Sequence, residues 1–486
     1  MSAEDIRFER LKKLAILKKQ EIDPYPAESF RTHENAVFLK SFESLVSSQE
    51  KVILAGRIMS QRDQGGIIFV DLFDGTERIQ ALIKKDDIGE KSFDLFVETV
   101  SVSDFIEVAG KAFTTKRGMN SLLAESWRML AKSLNQVPDE WFGLKDEDER
   151  YRKRYLDMLL NPDVASIAKK RSIFWNTIRS FMLKRGFVEV ETPILETKTG
   201  GAEARPFTTH HNALDMDVYL RISHELWHKK LIVGGLPKVF EIGRVFRNEG
   251  MSFEHAQDYT HFEFYEAYQD ARRGVPMLID LLRTVAQETF GTLQFQIGKH
   301  EIDLGAEWKQ IDYNKYMHDE YGFDPREVDQ SPGAGRGLLQ KHIPDYKGDI
   351  TETGRAVDFL WKQLRRTISG PAILAGMPTY LEPLAKKNKD DQRVVDRFQI
   401  ILAGSEIGKA FNELNDPLDQ RERFEHQQAL RDAGDEEAQM ADFEYIEAME
   451  YGMPPIFGFG MSERVFSFLA GKSIRESQLF PLMKPK

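Results

Sequence analysis

Residues 238–268, KVFEIGRVFRNEGMSFEHAQDYTHFEFYEAY, alternate apolar and polar positions, break at a charged turn, and alternate again. A period of two sends successive side chains to opposite faces of a strand, so the stretch predicts two antiparallel strands with a loop between them. The loop concentrates Arg247, Asn248, Glu249 and Gly250, and the return strand offers Glu263 and Tyr265 on one face. An arginine fork beside a carboxylate can grip a phosphate with one group and an amino group with the other. An isolated R-x-E would be an ordinary surface turn with a salt bridge, but this pattern is much longer.

Taken together, FRNEG, the later HFEFY and the distant SERVFSFL resemble the signature of class II aminoacyl-tRNA synthetases, with wording closest to the lysyl-tRNA synthetases. The resemblance runs from about residue 21 to the last residue, with three motifs in the family's order. It implies an α+β chain: an N-terminal OB-type β-barrel plus a class II synthetase core, an antiparallel sheet flanked by helices. The implied reaction is ATP-dependent activation of L-lysine to lysyl-adenylate, followed by transfer to the 3′ end of tRNA(Lys).

Composition agrees with this reading. A chain of 486 residues suggests two or three units. It has no cysteine, so thiolate zinc sites, disulfides and cysteine nucleophiles are excluded. No long uncharged apolar run or signal-like amino terminus is present, which predicts a soluble, cytoplasmic protein without membrane contact. A formal net charge of −11 argues against indiscriminate nucleic-acid binding, so any tRNA contact must be local.

Residues 2–20 predict an amphipathic helix with Leu11, Leu14 and Leu17 on one side, either touching tRNA or packing on its neighbour while its basic face is solvated. Between residues 51 and 130, short alternating segments punctuated by Gly65-Gly66, Asp74-Gly75 and Arg117-Gly118 predict about five strands and no buried helix, an OB-type barrel. The expected organisation is an N-terminal helix and anticodon-binding barrel over 1–135, a linker or hinge over 136–163 and a catalytic domain over 164–486. The linker contains VPDEW and the run KDEDERYRKRYLDMLLNP, read as a solvated helix. In the catalytic domain, a helix closed by Gly186 and a strand ending at Pro193 resemble the first class II motif, which implies a homodimer through residues 164–193. A helical insertion is expected over about 310–383, and strand, loop and a long terminal helix beyond 394.

Activation brings a carboxylate to the α-phosphate of ATP, so the protein must supply positive charge and placement. By resemblance, Arg247 bridges the substrate carboxylate and α-phosphate, and Arg464 holds the triphosphate tail. Glu249 accepts from the adenine amino group, Tyr259 replaces an aromatic that stacks on adenine, and His255 resembles a phosphate-contacting histidine. Mg²⁺ is implied as cofactor because ATP phosphates are hard anions; Glu406 matches its main ligand, with Gln399 standing where the family has a carboxylate. Glu413 and Tyr265 match the contacts to the ε-ammonium of lysine, with Glu263 behind them, and Glu225 with the Gly201 backbone matches the α-ammonium site. On the barrel, Phe69 and Gln80 match the anticodon-stacking and base-reading residues, with Arg57 on the adjoining strand. Three positions depart from the family. Lys409 replaces an Asn near the substrate carboxylate, which predicts a crowded or overcharged pocket. Glu254 replaces an Arg, which predicts weaker or rerouted triphosphate binding. The third motif is about one residue short, which predicts a bulge or shifted register before Arg464.

Other readings share parts of this pattern. Aspartyl- and asparaginyl-type enzymes share barrel and core, but an acidic substrate would need a cationic pocket where Glu225 and Glu413 stand. A protein-lysylating paralogue would usually lack the barrel. A catalytically silent tRNA-binding relative would carry departures such as Gln399 and Glu254.

Overall fold

The computed structural model describes residues 2–138, 144–250, 252–331, 333–434 and 438–485. Residues 139–143, part of the expected linker and of VPDEW, lie outside the described residues. The chain forms two compact units, Met1–Lys145 and Asp146–Lys486.

The first unit is a closed five-stranded barrel, β1 (Lys51–Asp63), β2 (Ile67–Phe73), β3 (Arg78–Lys84), β4 (Phe105–Thr114) and β5 (Asn120–Ala131), in the order β1-β2-β3-β5-β4. Its strands send Val52, Leu54, Val70, Leu72, Ile106 and Val108 into one core. One element differs from expectation: between β3 and β4 the helix Glu90–Thr99 buries Phe93 and Phe96, with Phe96 edge-on to Trp127 at 5.1 Å. Its apolar positions, three and four apart among charged residues, make a stripe too short to read as a buried helix. The N-terminal helix Ala3–Lys19 starts at a capping box of Ser2 and Asp5, and the face it buries combines Leu17 of the expected leucine side with Arg10. Leu17 and Arg10 are buried while Leu11 is exposed. Arg10 donates to the carbonyls of Val102, Ser133 and Asn135, so hydrogen bonding joins apolar packing in docking this face.

In the second unit β6 (Val188–Glu189), β10 (Lys238–Phe246), β11 (Asp258–Ala267), β14 (Lys309–Asp312), β15 (Ala372–Ala375), β16 (Arg397–Leu402), β17 (Ser405–Asn412) and β18 (Ile456–Ser462) form one sheet. Its order is β14-β15-β16-β17-β18-β11-β10-β6. Smaller sheets join β7 (Leu195–Glu196), β9 (Met216–Leu220) and β8 (Thr208–His211), and β12 (Gln294–Ile297) with β13 (His300–Asp303). The β10–β11 hairpin runs in unbroken register from Lys238↔Glu266 to Phe246↔Asp258. One sheet face carries Phe240, Phe262, Phe264, Phe457, Phe459 and Met461, packed in one core with residues of the helices Pro162–Lys184 and Ala271–Phe290. Pro162 opens the first of these helices, and Gly186, at φ +80°, follows its last turn as the spacing predicts.

Four expectations are corrected. The charged run is not one solvated helix: it forms the helices Glu147–Arg152 and Arg154–Leu160, and within it Arg154 and Asp157 are buried. Each buried charge has an opposite partner, since Asp157 takes Arg150 at 2.9 Å and Arg154 at 2.8 Å, and Arg154 also donates to the carbonyls of Gln478 and Leu479. The segment expected to be helical begins and ends as strands, because β14 and β15 pair in parallel around the helices Tyr313–Tyr321, Ala334–His342 and Thr353–Leu364. The terminal helix is two short ones, Arg464–Leu469 and Ile474–Ser477, separated by Gly471 at φ +64°. Lastly, β18 pairs with β11 and β17 without bulge or shift; the irregularity lies between β16 and β17, at Ile400 and Ile401. Among the described residues no helix is long and apolar enough to cross a membrane.

Candidate active site

The face of the sheet opposite the phenylalanines carries the polar residues. Glu241, Glu263, Gly460, Lys409 and Gln399 stand opposite one another in a row across five strands. A second row runs Val239, Tyr265, Gly458, Phe411 and Arg397. The motif FGFGMS thus puts aromatics into the core and glycines into the site. A Cβ on Gly458 would overlap Glu413 Oε1 and come 2.5 Å from the Tyr265 ring.

Glu225 lies in the first turn of the helix Glu225–Val233, one turn before Lys229. The Lys229 ammonium sits 2.6 Å from Glu225 Oε1 and 2.5 Å from Glu413 Oε2, fully buried. Sequence reasoning missed Lys229, although its spacing of four from Glu225 was the available signal. Burial pushes both carboxyls up, more than the attraction of one shared ammonium pulls them down. Lys229 itself is raised: burial disfavours its charge, but the adjacent Glu225 and Glu413 carboxylates outweigh that.

Glu263 behaves differently. Burial would raise it, but a hydrogen bond with His261 and nearby imidazoles hold it well below the usual carboxylate range. It also accepts from the Ser223 hydroxyl at 2.7 Å, the His224 amide at 3.0 Å and the Tyr265 hydroxyl at 3.0 Å. Gly201, at φ +83°, closes over this corner; a Cβ there would come 2.8 Å from both Glu225 Cβ and Ser223 Oγ, so only glycine fits. Five of the six predicted amino-acid contacts, Gly201, Glu225, Glu263, Tyr265 and Glu413, are thereby tied into one buried cluster. The sixth, Lys409, is half exposed and turns its ammonium to Glu382 at 3.6 Å, so it does not crowd the pocket.

The nucleotide candidates line the hairpin loop and the start of the third motif. Arg247 donates to the Ile222 carbonyl at 3.3 Å and lies over the Tyr259 ring at 5.7 Å. Tyr259 is buried beside Val245 and Ile474, Glu249 is half-buried, and His255 is exposed, sharing a 2.7 Å hydrogen bond with Ser252. Arg464 donates to the Glu406 carbonyl at 3.1 Å and has Glu254 Oε2 at 3.6 Å. Glu254 also accepts from Ser405 at 2.7 Å, so this departure from the family sets a carboxylate on the arginine. Glu406 accepts from the Trp361 indole at 2.6 Å. Burial would raise its carboxyl, but Arg397, Arg365, Lys409 and that bond keep it low. The Gln399 amide oxygen accepts from Arg397. Among the described residues no three side chains of His, Asp or Glu are grouped to hold a metal unaided.

In the barrel unit Arg57, Phe69 and Gln80 share the outer face, through the pairs Arg57↔Phe73 and Asp71↔Gln80. Phe69 is half-buried, Arg57 lies over the Phe105 ring at 4.3 Å, and Gln80 accepts from Ser121 at 3.3 Å.

Comparison with known proteins matches this architecture. The family profile "tRNA synthetases class II (D, K and N)" covers residues 146–484, and "OB-fold nucleic acid binding domain" covers residues 52–130. The chain is 39% identical over 488 residues to the lysine--tRNA ligase of Thermosipho melanesiensis, covering 99% of this chain and 96% of that protein. It is 40% identical over 484 residues to the lysine--tRNA ligase of Bacillus subtilis, at 98% and 97% coverage, and 40% over 491 residues to that of a Roseiflexus species, at full coverage of both. The chain belongs to the class II tRNA synthetases and, within them, to the lysine--tRNA ligase family.

Gly458→Ala is expected to push Glu413 and Tyr265 apart and to remove amino-acid-dependent pyrophosphate exchange into ATP, while the circular dichroism spectrum stays that of the parent. Exchange at the parent rate would show that the glycine floor does not shape the pocket.

Proposed function

We propose that this aminoacyl-tRNA ligase joins L-lysine to tRNA(Lys) with the two units dividing the work, adenylate formation on the sheet and anticodon reading on the barrel. The observation that carries the reading is the charge of the buried pocket. Glu225 and Glu413 share one internal cation, Lys229, while Glu263 is buried beside them against the Tyr265 hydroxyl, and such a site suits a second ammonium. An aspartate side chain would add a further negative charge to three carboxyls, which disfavours the aspartyl-type alternative. The barrel disfavours a protein-lysylating role.

In this reading Glu413 and Tyr265 take the ε-ammonium of lysine, with Glu263 behind them, and Glu225 with the Gly201 backbone takes the α-ammonium. Arg247 then draws the lysine carboxylate and the α-phosphate together. The carboxylate oxygen attacks phosphorus, pyrophosphate leaves, and the arginine charge offsets the repulsion of two anions. Glu249 and Tyr259 hold adenine, and His255 and Arg464 hold the phosphates, with Lys409 beside the substrate carboxylate. Because Glu254 pairs with Arg464, the triphosphate must displace that carboxylate, which weakens ATP binding. Mg²⁺ would neutralise phosphate charge; the ionised Glu406 suits it, the rest of its shell coming from phosphate oxygens and water. Gln399, its amide oxygen engaged by Arg397, serves that ion less directly. We place the domain boundary within 136–163, treat about 310–383 as an insertion in the catalytic domain, and assign the protein to the cytoplasm.

A homodimer completes the proposal. Ile173, Leu183 and Val188 within residues 164–193, and Ile194 and Leu195 just beyond them, are each 44–50% exposed, an apolar concentration that invites a second copy. Leu195→Asp is expected to shift the mass by light scattering from dimer to monomer. A monomeric parent protein would remove this part of the reading.

Pyrophosphate exchange measured across the amino acids tests the central claim: lysine should be preferred. Glu413→Gln keeps the shape and removes one charge, and should weaken lysine by about 3–5 kcal/mol if Glu413 meets the ammonium directly. A loss of only about 1 kcal/mol would mean that Glu413 merely orients its neighbours.

Phe69→Ala should depress tRNA charging far more than exchange, because a stacked base contributes about 1–3 kcal/mol. Parallel loss of both activities would overturn the anticodon assignment.

A further inference from the structure

Three imidazoles surround the site, and no step above uses them. His261 Nε2 is 3.3 Å from Glu263 Oε1, and His224 Nδ1 approaches the same oxygen at 3.6 Å. On the other side, His228 Nε2 is 3.3 Å from Glu241 Oε2 and His224 Nε2 is 3.7 Å from Glu241 Oε1. The rings form one stack, His224 on His228 at 5.7 Å and tilted against His261 at 6.0 Å. His228 then meets the Tyr265 ring edge-on at 5.3 Å. Arg221 closes the far end with a 2.6 Å ion pair to Glu241. His224 and His228 are wholly buried.

The backbone is adapted to the rings. His261 stands opposite Gly243 across the hairpin. A Cβ on Gly243 would overlap Arg221 Nη2 and come 3.0 Å from His224 Nε2, and one on Gly460 would come 3.2 Å from His261 Nε2. Glycines therefore stand where the imidazoles need room.

The choice of histidine has a physical consequence. Burial lowers His224 to about 3 and also lowers His261, against the attraction of Glu263 and Glu241, so these rings stay neutral at ordinary pH. A neutral imidazole offers one N–H and no net charge. It can hold a carboxylate in place and leave its charge available. A lysine or arginine in the same place would cancel that charge, as Arg221 does for Glu241.

We propose that His224, His228 and His261 are positioning residues of the ammonium pocket: His261 holds Glu263, His228 packs its ring on Tyr265 while reaching Glu241, and His224 fills the space between the two carboxylates, and together they set selection for an ammonium-bearing side chain. The inference rests on the lysine reading above. Around the cluster the charged groups are Glu241, Glu263 and Arg221, with Arg247 and Arg464 beyond His261.

The test is lysine-dependent pyrophosphate exchange by the full chain and by His261→Met and His261→Gln. The first variant keeps bulk and removes the donor; the second restores an N–H. His261→Met should raise the lysine KM about tenfold or more, the loss expected for a hydrogen bond to a charged group, with the ATP KM unchanged. His261→Gln should recover most of it. An unchanged lysine KM in His261→Met, an equal rise in both KM values, or no recovery in His261→Gln overturns the positioning role. If His261→Met does not fold, His228→Phe, which keeps a ring against Tyr265 but loses the contact to Glu241, must show the same split between lysine and ATP. Exchange by the parent enzyme separates the two claims: absence of any lysine-dependent exchange sinks the substrate reading, whereas parent exchange with insensitive variants sinks only the histidine inference.

Discussion

Burying carboxylates next to one another is the constraint on which the catalytic unit depends. Each would be prohibitive alone, since an isolated ion in a low-dielectric interior either loses its charge or takes a partner. The fold answers differently at each. Glu225 and Glu413 share the ammonium of Lys229 and are both pushed up. Glu263 has hydroxyl, amide and imidazole donors and is pulled down. The pocket therefore combines carboxyls poised to meet a cation with one that is already ionised and oriented.

The sheet makes this possible through its two unlike faces. Phenylalanines on one face join the helices in the large core, which fixes the strands; the opposite face can then carry charges that would not hold a fold together by themselves. Glycines at 243, 458 and 460 lower the floor so that long side chains from neighbouring strands converge. The same logic governs the charged segment of the expected linker, where Arg154 and Asp157 are buried because they pair with each other and Arg154 also reaches backbone carbonyls.

The nucleotide side is less settled in charge than the amino-acid side. Glu254 on Arg464 and Gln399 on Arg397 each put a protein acceptor on an arginine of the site. Charge that would elsewhere meet phosphate is partly balanced internally. Lys409, which the family resemblance puts near the substrate carboxylate, is drawn toward Glu382.

Much was legible in the sequence because period-two alternation is a local property: the β10–β11 hairpin, the five barrel strands and the polar face of Glu263 and Tyr265 follow from which residues sit two apart. The resemblance of the motifs to the class II synthetases likewise indicated Arg247, Glu225, Glu413 and Arg464 as residues of one chemistry. Tertiary packing decided what depends on partners far away in the chain. It docked the first helix through Arg10 as well as Leu17, and it buried Arg154 and Asp157 within a run of charges that looked solvated. It also kept the short third motif in register, because its Phe457 and Phe459 are locked into the core on one side while glycines on the other leave no side chain to force a bulge. Lys229 and the three histidines escaped notice for the same reason: a buried charge or imidazole has meaning only through the groups around it, and those come from a helix, a hairpin and a strand nearly two hundred residues apart.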